Sequence, residues 1–333
     1  MVTSNPVKLN ADVLRIDCEA EVRHISTRMV EILGRELKRR GLVIAMSGGI
    51  DSSVCAALAV RAVGPDRVHG LLLPEQDSSP HSLQRATVLA KHLGIAYSIE
   101  DIAPALNALG SYRWRDDAIR TVFPDYGSDW KNKIIIAGGM DGAFNYFKLV
   151  VQTPVGKLRE ARLPLRAYQQ IVAATNYKQR IRKSVEYFHA DRLNYAVIGT
   201  PNRLEYDQGF FVKNGDGAAD LKPIAHLYKT QVYALARHLG LPEEICNASP
   251  TTDTYSLQQG QDEFYFAMHY DKMDIALWAF NHAIPAVELA KCLEVTPQQA
   301  AHIYSDIEAK RRATRYLHAG PILIDEVPDI STR

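Results

Sequence analysis

Between residues 42 and 200 short, unbroken apolar runs alternate with longer segments whose apolar residues recur every three or four positions. The runs "LVIAM" from Leu42, "VHGLLLP" from Val68, "AYSIE" from Ala96 and "YAVIGT" from Tyr195 have the length of strands. Residues 51–63, the stretch "SLQRATVLAKHLG" closed by Gly94, and "YQQIVAATNYKQRIRKSVEYFHADRL" from Tyr168 read as helices. A strand that is apolar throughout, not only at every second residue, is covered on both faces. Such strands separated by helices predict an α/β fold, a doubly wound parallel sheet.

Three further segments complete the pattern. Residues 12–40 carry Val22, Ile25, Met29, Ile32, Leu33 and Leu37 at helical spacing and predict one amphipathic helix with a basic end. From Pro285 onward the chain reads as a helical C-terminal region, in which Thr296 and Pro297 supply an N-cap and a first-turn proline. Residues 110–166 break the rhythm, with strand-like runs on either side of Gly-rich turns in "IIIAGGMDGAFNYFKLVVQTPVG", and read as an insertion within a single domain spanning 1–333.

Composition narrows the functional class. The 333 residues are 47% hydrophobic, enough for a well-buried core. Lys plus Arg number 39 against 38 Asp plus Glu, so no overall field draws the chain onto nucleic acid or an anionic membrane, and any bound anion must be held locally. Cys18, Cys55, Cys246 and Cys292 are scattered and form neither a zinc motif nor a disulfide framework. With no apolar run of membrane-spanning length and a polar start, "MVTSNPVKLN", the expected setting is cytoplasmic.

The candidate chemistry sits in "VIAMSGGIDSSV", residues 43–54. A strand that ends in Ser-Gly-Gly and turns directly into a helix leaves unpaired N–H groups at the positive end of that helix, where phosphate is favoured. Gly48 and Gly49 let the backbone approach the ligand, and the hydroxyls of Ser47, Ser52 and Ser53 are further donors. Asp51 would repel phosphate unless a cation lay between them, which implies magnesium. No Gly-Lys-Ser/Thr follows, so the loop is not of the Walker type.

At these residues the sequence resembles the pyrophosphate-loop ATPases of the adenine nucleotide α-hydrolase type. The ordered motifs in residues 197–245, "VIGTPNRLEYDQGFFVKNGDGAADLKPIAHLYKTQVYALARHLGLPEEI", together with "TNYKQRIRK", "SPTTD" and "QDEFYFAMHYDKMD", resemble the ammonia-dependent NAD synthetase family. The resemblance implies ATP as a cosubstrate, with phosphates held by Ser47, Gly48, Gly49, Ile50, Asp51, Ser52, Ser53 and Val54, and Mg2+ held by Asp51 and Glu205. It implies that Thr200, Lys229 and Thr251 line the ATP site, and that Arg180, Lys213 and Asp220 contact the dinucleotide, with Asn176 and Asp216 close by. Asp51, Lys229 and Asp216 would then be the catalytic groups. The implied reaction is adenylation of the nicotinate carboxylate of deamido-NAD, followed by attack of ammonia. The expected partners are a second copy in a homodimer and a separate glutaminase as a source of ammonia.

The sequence departs from the family pattern at three places. Val212 and Asn214 stand at variable positions beside Lys213, Ala309 precedes Lys310 where the family has a His-Lys pair that touches substrate, and the segment 110–166 is additional. These departures leave two alternatives open, a ligase of the same fold acting on another carboxylate and a nucleotide-binding homologue without catalysis.

Overall fold

The computed structural model describes residues 9–137, 146–248, 254–257, 260, 265–266, 268–325 and 327. Its first half runs α1 (Cys18–Glu31), β1 (Leu42–Ala45), α2 (Ile50–Val63), β2 (Val68–Leu72), α3 (Pro80–Leu93), β3 (Ala96–Ile99) and α4 (Ala103–Ala108). Then come α5 (Ser111–Arg120), β4 (Lys131–Ala137), β5 (Tyr146–Gln152), β6 (Leu158–Arg162), α6 (Leu165–Leu193) and β7 (Ala196–Val197). Helices α7 (Arg203–Gln208), α8 (Lys229–His238), α9 (Glu243–Cys246), α10 (Tyr270–Asn281), α11 (Ala286–Leu293) and α12 (Pro297–His318) follow.

The main sheet has the order β3-β2-β1-β7 with every pairing parallel. Strands β1 and β7 and most of β2 are apolar and buried because each face meets helices, whereas the edge strand β3 is partly exposed. Leu42 and Ile44 of β1 pack with Val22 of α1, Leu58 of α2 and Val232 of α8, while Val43, on the opposite face, packs with Leu71, Leu106 and Ala190 of α6. From β1 the chain winds outward through β2 and β3, then returns by way of α6 to place β7 on the other side of β1. The carboxyl ends of β1 and β7 therefore diverge, and a doubly wound sheet opens its ligand crevice at such a reversal.

Several expectations need correction. The single helix over 12–40 is in fact a short 3-10 turn, Ala11–Leu14, then α1, then a π-helical turn, Ile32–Glu36. The break arises because Asp17 is an N-cap in its own right, accepting the Ala20 N–H at 3.0 Å, and the end comes where Lys38 adopts a φ of 51°. The last strand of the sheet is only two residues long. Past it Ile198 bridges to Leu221, and the Val197 N–H is taken by the Asp220 carboxylate at 2.7 Å.

The segment 110–166 begins with helix α5 and continues as a second, antiparallel sheet of order β4-β5-β6. Ile134, Leu149 and Val151 are buried there against Ile119 and Phe123 on one side and Ala167 and Ile171 of α6 on the other. Its apolar faces thus share a core with the body of the protein. Helices α10, α11 and α12 close a further cluster around Leu277, Leu289 and Ile307, and Thr296 caps α12 as its sequence indicates, with Pro297 in the first turn.

Candidate active site

After Ala45 the chain stays bound to the sheet through Met46 N–H on Leu71 O, then turns through Ser47, Gly48 and Gly49 into α2. Gly48 has a φ of +74°, and a Cβ placed on it would fall 2.5 Å from the Ser82 carbonyl oxygen of α3. Only glycine fits there. Gly49 stands at the N-cap of α2 with no side-chain cap, so the first N–H groups of this fourteen-residue helix open into the crevice. Around them the Ser47 hydroxyl accepts the Gly49 N–H at 3.2 Å, and Ser52 Oγ donates to Gly49 O at 3.0 Å.

The crevice is a cleft of about 550 Å³. Ser47, Gly49, Ile50, Asp51 and Ser52 line it, whereas Gly48, Ser53 and Val54 shape it from behind. The Ser53 hydroxyl is turned inward onto Gly49 O at 2.8 Å, and Val54 is fully buried in the core.

Three helix starts bring the charged groups together. Asp51, in the first turn of α2, accepts from Lys229 Nζ through Oδ2 and from Asn202 Nδ2 at 3.0 Å through Oδ1. Asn202 is the N-cap of α7 and forms a reciprocal capping box with Glu205, which fixes the Glu205 carboxylate beside the same cleft. Lys229 is the first residue of α8 and is 1% exposed. Burial alone would lower its pKa, but Asp51 and Glu205 hold the ammonium above its ordinary value. The start of α8 is itself pinned from α10. The fully buried Asp274 accepts the N–H groups of Lys229 at 3.2 Å and Thr230 at 2.7 Å. Desolvation pushes the Asp274 carboxyl up to about 7.

Of the other sequence-selected residues, Thr200, Asn176 and Asp216 also line the cleft. Burial raises the pKa of Asp216, one of whose oxygens accepts the Val212 N–H at 2.7 Å. The remaining dinucleotide candidates lie outside the cleft of this chain. Arg180 donates to Lys213 O at 3.3 Å, and Lys213 Nζ caps the end of α12 on the carbonyls of Tyr316 and Ala319, both at 2.7 Å. Asp220 is engaged by Val197 N–H and by the Tyr187 hydroxyl, while Lys310 is tied to Asp306 and Tyr265 O. Thr251 lies outside the described residues.

Several cleft residues carry no distinguishing mark in the sequence. Arg182, Lys183 and Glu186 follow Asn176 along one face of α6, and Lys183 and Glu186 form a buried ion pair at 2.7 Å. Their i, i+3 spacing and the repeat from Asn176 were visible, but a charged helix face is usually solvated, so nothing marked this one as buried. Phe147 of β5 also reaches the cleft and stacks on Tyr168 of α6, with centroids 4.2 Å apart. That contact joins the second sheet to α6 and has no local signal.

The family described as NAD synthase matches residues 25–123 and 146–314. The NH(3)-dependent NAD(+) synthetase of Rhizobium meliloti is 55% identical over 327 residues, spanning 98% of this chain and 98% of that protein. That of Thermotoga maritima is 39% identical over 244 residues, spanning 72% of this chain and 79% of its own. Among solved structures, an NH3-dependent NAD synthetase from Campylobacter jejuni has a TM-score of 0.61 at 22% identity, with 93% of this chain and 100% of that chain covered. An NMN synthetase from Francisella tularensis has a TM-score of 0.64 at 21% identity, with 94% and 100% covered. Both structures share the fold of this chain.

Proposed function

The chain belongs to the NAD synthase family, and on that premise we propose that it catalyses ATP-dependent amidation of deamido-NAD by ammonia. The observation that carries the reading is the convergence of the open N-terminus of α2 with Asp51, Glu205 and Lys229 on one cleft. In the first step the nicotinate carboxylate attacks the α-phosphorus of ATP and pyrophosphate leaves. In the second, ammonia attacks the acyl carbon of the adenylate, AMP leaves, and the nitrogen gives up a proton.

Each residue has a part that its surroundings suit. The α2 N–H groups and Ser47 are donors for the departing phosphates. Lys229, whose charged form is favoured by Asp51 and Glu205, places a cation where negative charge builds, and because α8 and Asp274 already fix its backbone, little reorganisation is required. Asp216, a carboxylate made more basic by burial, is suited to take the proton from the attacking nitrogen. The two carboxylates of Asp51 and Glu205 fit magnesium, a hard ion that takes one or two protein carboxylates and completes its shell with phosphate oxygens and water. The ion would neutralise charge on the phosphate oxygens.

Arg180, Lys213 and Asp220 sit beyond the cleft of one chain. This supports a homodimer in which the dinucleotide extends past that cleft, with the exposed Phe188 of α6 available to the second copy. The free thiols suit a cytoplasmic setting. No helix among the described residues is long and apolar enough to cross a membrane.

The test is release of pyrophosphate and formation of AMP and amide from ATP and deamido-NAD, with and without an ammonium salt. Amide formed only with ammonium is the expected result. If the dinucleotide acid is inert while nicotinate mononucleotide is amidated, the substrate assignment is wrong and the reaction class stands.

A further inference from the structure

One wall of the cleft is held in an unusual way. Thr254 and Tyr255 line it, and Tyr255 belongs to the same buried cluster as the inserted sheet. Residues 256 and 257 lie along the free edge of β4, where Leu257 N–H donates to Asn132 O at 3.0 Å and Asn132 N–H donates to Ser256 Oγ at 2.8 Å. Asn132 is 1% exposed, and its side-chain amide also donates to Ser256 Oγ, at 3.3 Å, and to the Tyr126 hydroxyl, at 2.9 Å.

The other grip is Lys178 of α6. Its buried ammonium donates to Thr254 O at 2.9 Å, to Glu75 Oε1 at 3.0 Å and to Asp77 Oδ2 at 2.6 Å. An ammonium has three donors, and all three are used. Helix α5 completes the network, with Arg115 donating to Asp77 at 2.5 Å and the Tyr112 hydroxyl to Glu75 at 2.9 Å. The charges are desolvated but mutually paired, so the Asp77 carboxyl stays below its usual range despite its burial, under the influence of Lys178 and Arg115. Neither Asn132, Ser256 nor Lys178 lines the cleft.

We infer that the inserted segment and Lys178 form a clamp on residues 254–257, and that Asn132, Ser256 and Lys178 are positioning residues that hold Tyr255 in the wall of the substrate cleft. A surface embellishment would have no reason to exchange hydrogen bonds with a cleft-lining segment more than a hundred residues further along the chain. The clamp also gives a physical reason for burying Lys178, Glu75, Asp77 and Arg115 together. Replacing a buried ionic network by apolar residues is often neutral or stabilising, so net stability alone does not account for this one, and holding one arrangement of its elements is the role the clamp assigns to it.

The inference rests on the proposed reaction for its kinetic readout, so the experiment has a second readout that does not. Ser256→Ala removes the oxygen that accepts from Asn132 without altering any cleft-lining atom, and Ser256→Thr retains it. In the full-length protein, hydrogen exchange across residues 254–257 and the Michaelis constants for ATP and deamido-NAD are measured for both variants. The expected result for Ser256→Ala is faster exchange confined to this segment and a rise of about fivefold in at least one Michaelis constant. Turnover should stay within about twofold of the parent, and Ser256→Thr should restore both readouts. Unchanged exchange overturns the clamp. Faster exchange with both Michaelis constants unchanged overturns its role in positioning. A parent protein inactive on deamido-NAD refutes the proposed function, and the exchange result then still decides whether the clamp exists.

Discussion

Lys229 Nζ rests on the Asp51 carboxylate, so the first residue of α8 is joined by charge to the first turn of α2 across the mouth of the cleft. Both groups are proposed catalytic residues, and each is the other's counter-ion. This pairing changes what a substitution at either position should do. Viewed from sequence alone, Asp51→Asn removes a magnesium ligand at almost constant volume and leaves the fold untouched. With Lys229 fully buried, the same change also strands an ammonium, and breaking a buried ion pair from one side costs about 3–5 kcal/mol. Asp51→Asn is therefore expected to abolish pyrophosphate release and to lower the melting temperature. The double variant Asp51→Asn with Lys229→Met should regain much of the stability and none of the activity. A double variant no more stable than Asp51→Asn would show that the pair is not coupled.

Asp274 supplies a pH dependence whose sign is fixed. Its folded pKa, pushed up to about 7, lies above that of an unfolded aspartate at about 3.9. Between those values the folded protein binds a proton that the unfolded chain does not. The stability from this group is complete below the unfolded value and is lost as pH rises through about 7. Asp274→Asn cannot titrate, so its stability relative to the parent should increase from pH 5 to pH 8, by on the order of 2 kcal/mol. Denaturant unfolding of both proteins at several pH values measures this. A difference that stays flat across the range would mean that Asp274 titrates normally.

Much of the main sheet could be read in advance, because continuous apolar strands and helical periodicity are local properties. The loop from Ser47 to Ser52 is equally legible as a Ser-Gly-Gly turn into an uncapped helix start, although the contact that demands glycine at 48, the Ser82 carbonyl of α3, is not local. What escaped was long-range. Nothing near Asp51 indicates that Asn202 and Lys229 share its oxygens, and nothing near Lys178 indicates that it is buried among Glu75, Asp77 and Arg115. Helix α1 differs for the opposite reason. Helical apolar spacing continues beyond both of its ends, but Asp17 caps it locally and starts it afresh at Cys18.

Glutamine should not replace ammonium as nitrogen donor for this chain alone. A glutaminase requires an activated thiolate. Cys55 and Cys246 are buried, with their thiols pushed above the ordinary range by desolvation, and no cysteine lines the cleft among the described residues. Cys18 and Cys292 are likewise raised by burial. Assays with glutamine freed of ammonia should yield no amide above background. Amide formation sensitive to a thiol-alkylating reagent would overturn the prediction.

Phe147, on the central strand of the second sheet, gives that sheet a direct place in the cleft, apart from the clamp on the free edge of β4. The family match leaves out residues 124–145 and resumes at 146, so Phe147 lies where the inserted chain rejoins the shared fold. Its ring stacks on Tyr168 with planes 15° apart and forms part of a largely aromatic wall with Tyr255. Phe147→Ala would remove one ring from that wall. Because Phe147 is only half-buried, the stability cost should fall at or below the low end of the 3–5 kcal/mol typical of a core phenylalanine, roughly 1–3 kcal/mol. If the wall contacts a substrate, the loss should appear mainly in binding, as a rise of roughly three- to tenfold in the Michaelis constant for deamido-NAD or ATP, since one stacked ring contributes about 0.5–1.5 kcal/mol beyond its buried area. Phe147→Leu keeps an apolar side chain without the stacking, and should fall between the parent and the alanine variant. Steady-state kinetics on the three proteins, with melting temperatures measured alongside, decide the matter. If Phe147→Ala loses stability as expected but keeps both Michaelis constants, the sheet supports the wall without contributing to substrate binding.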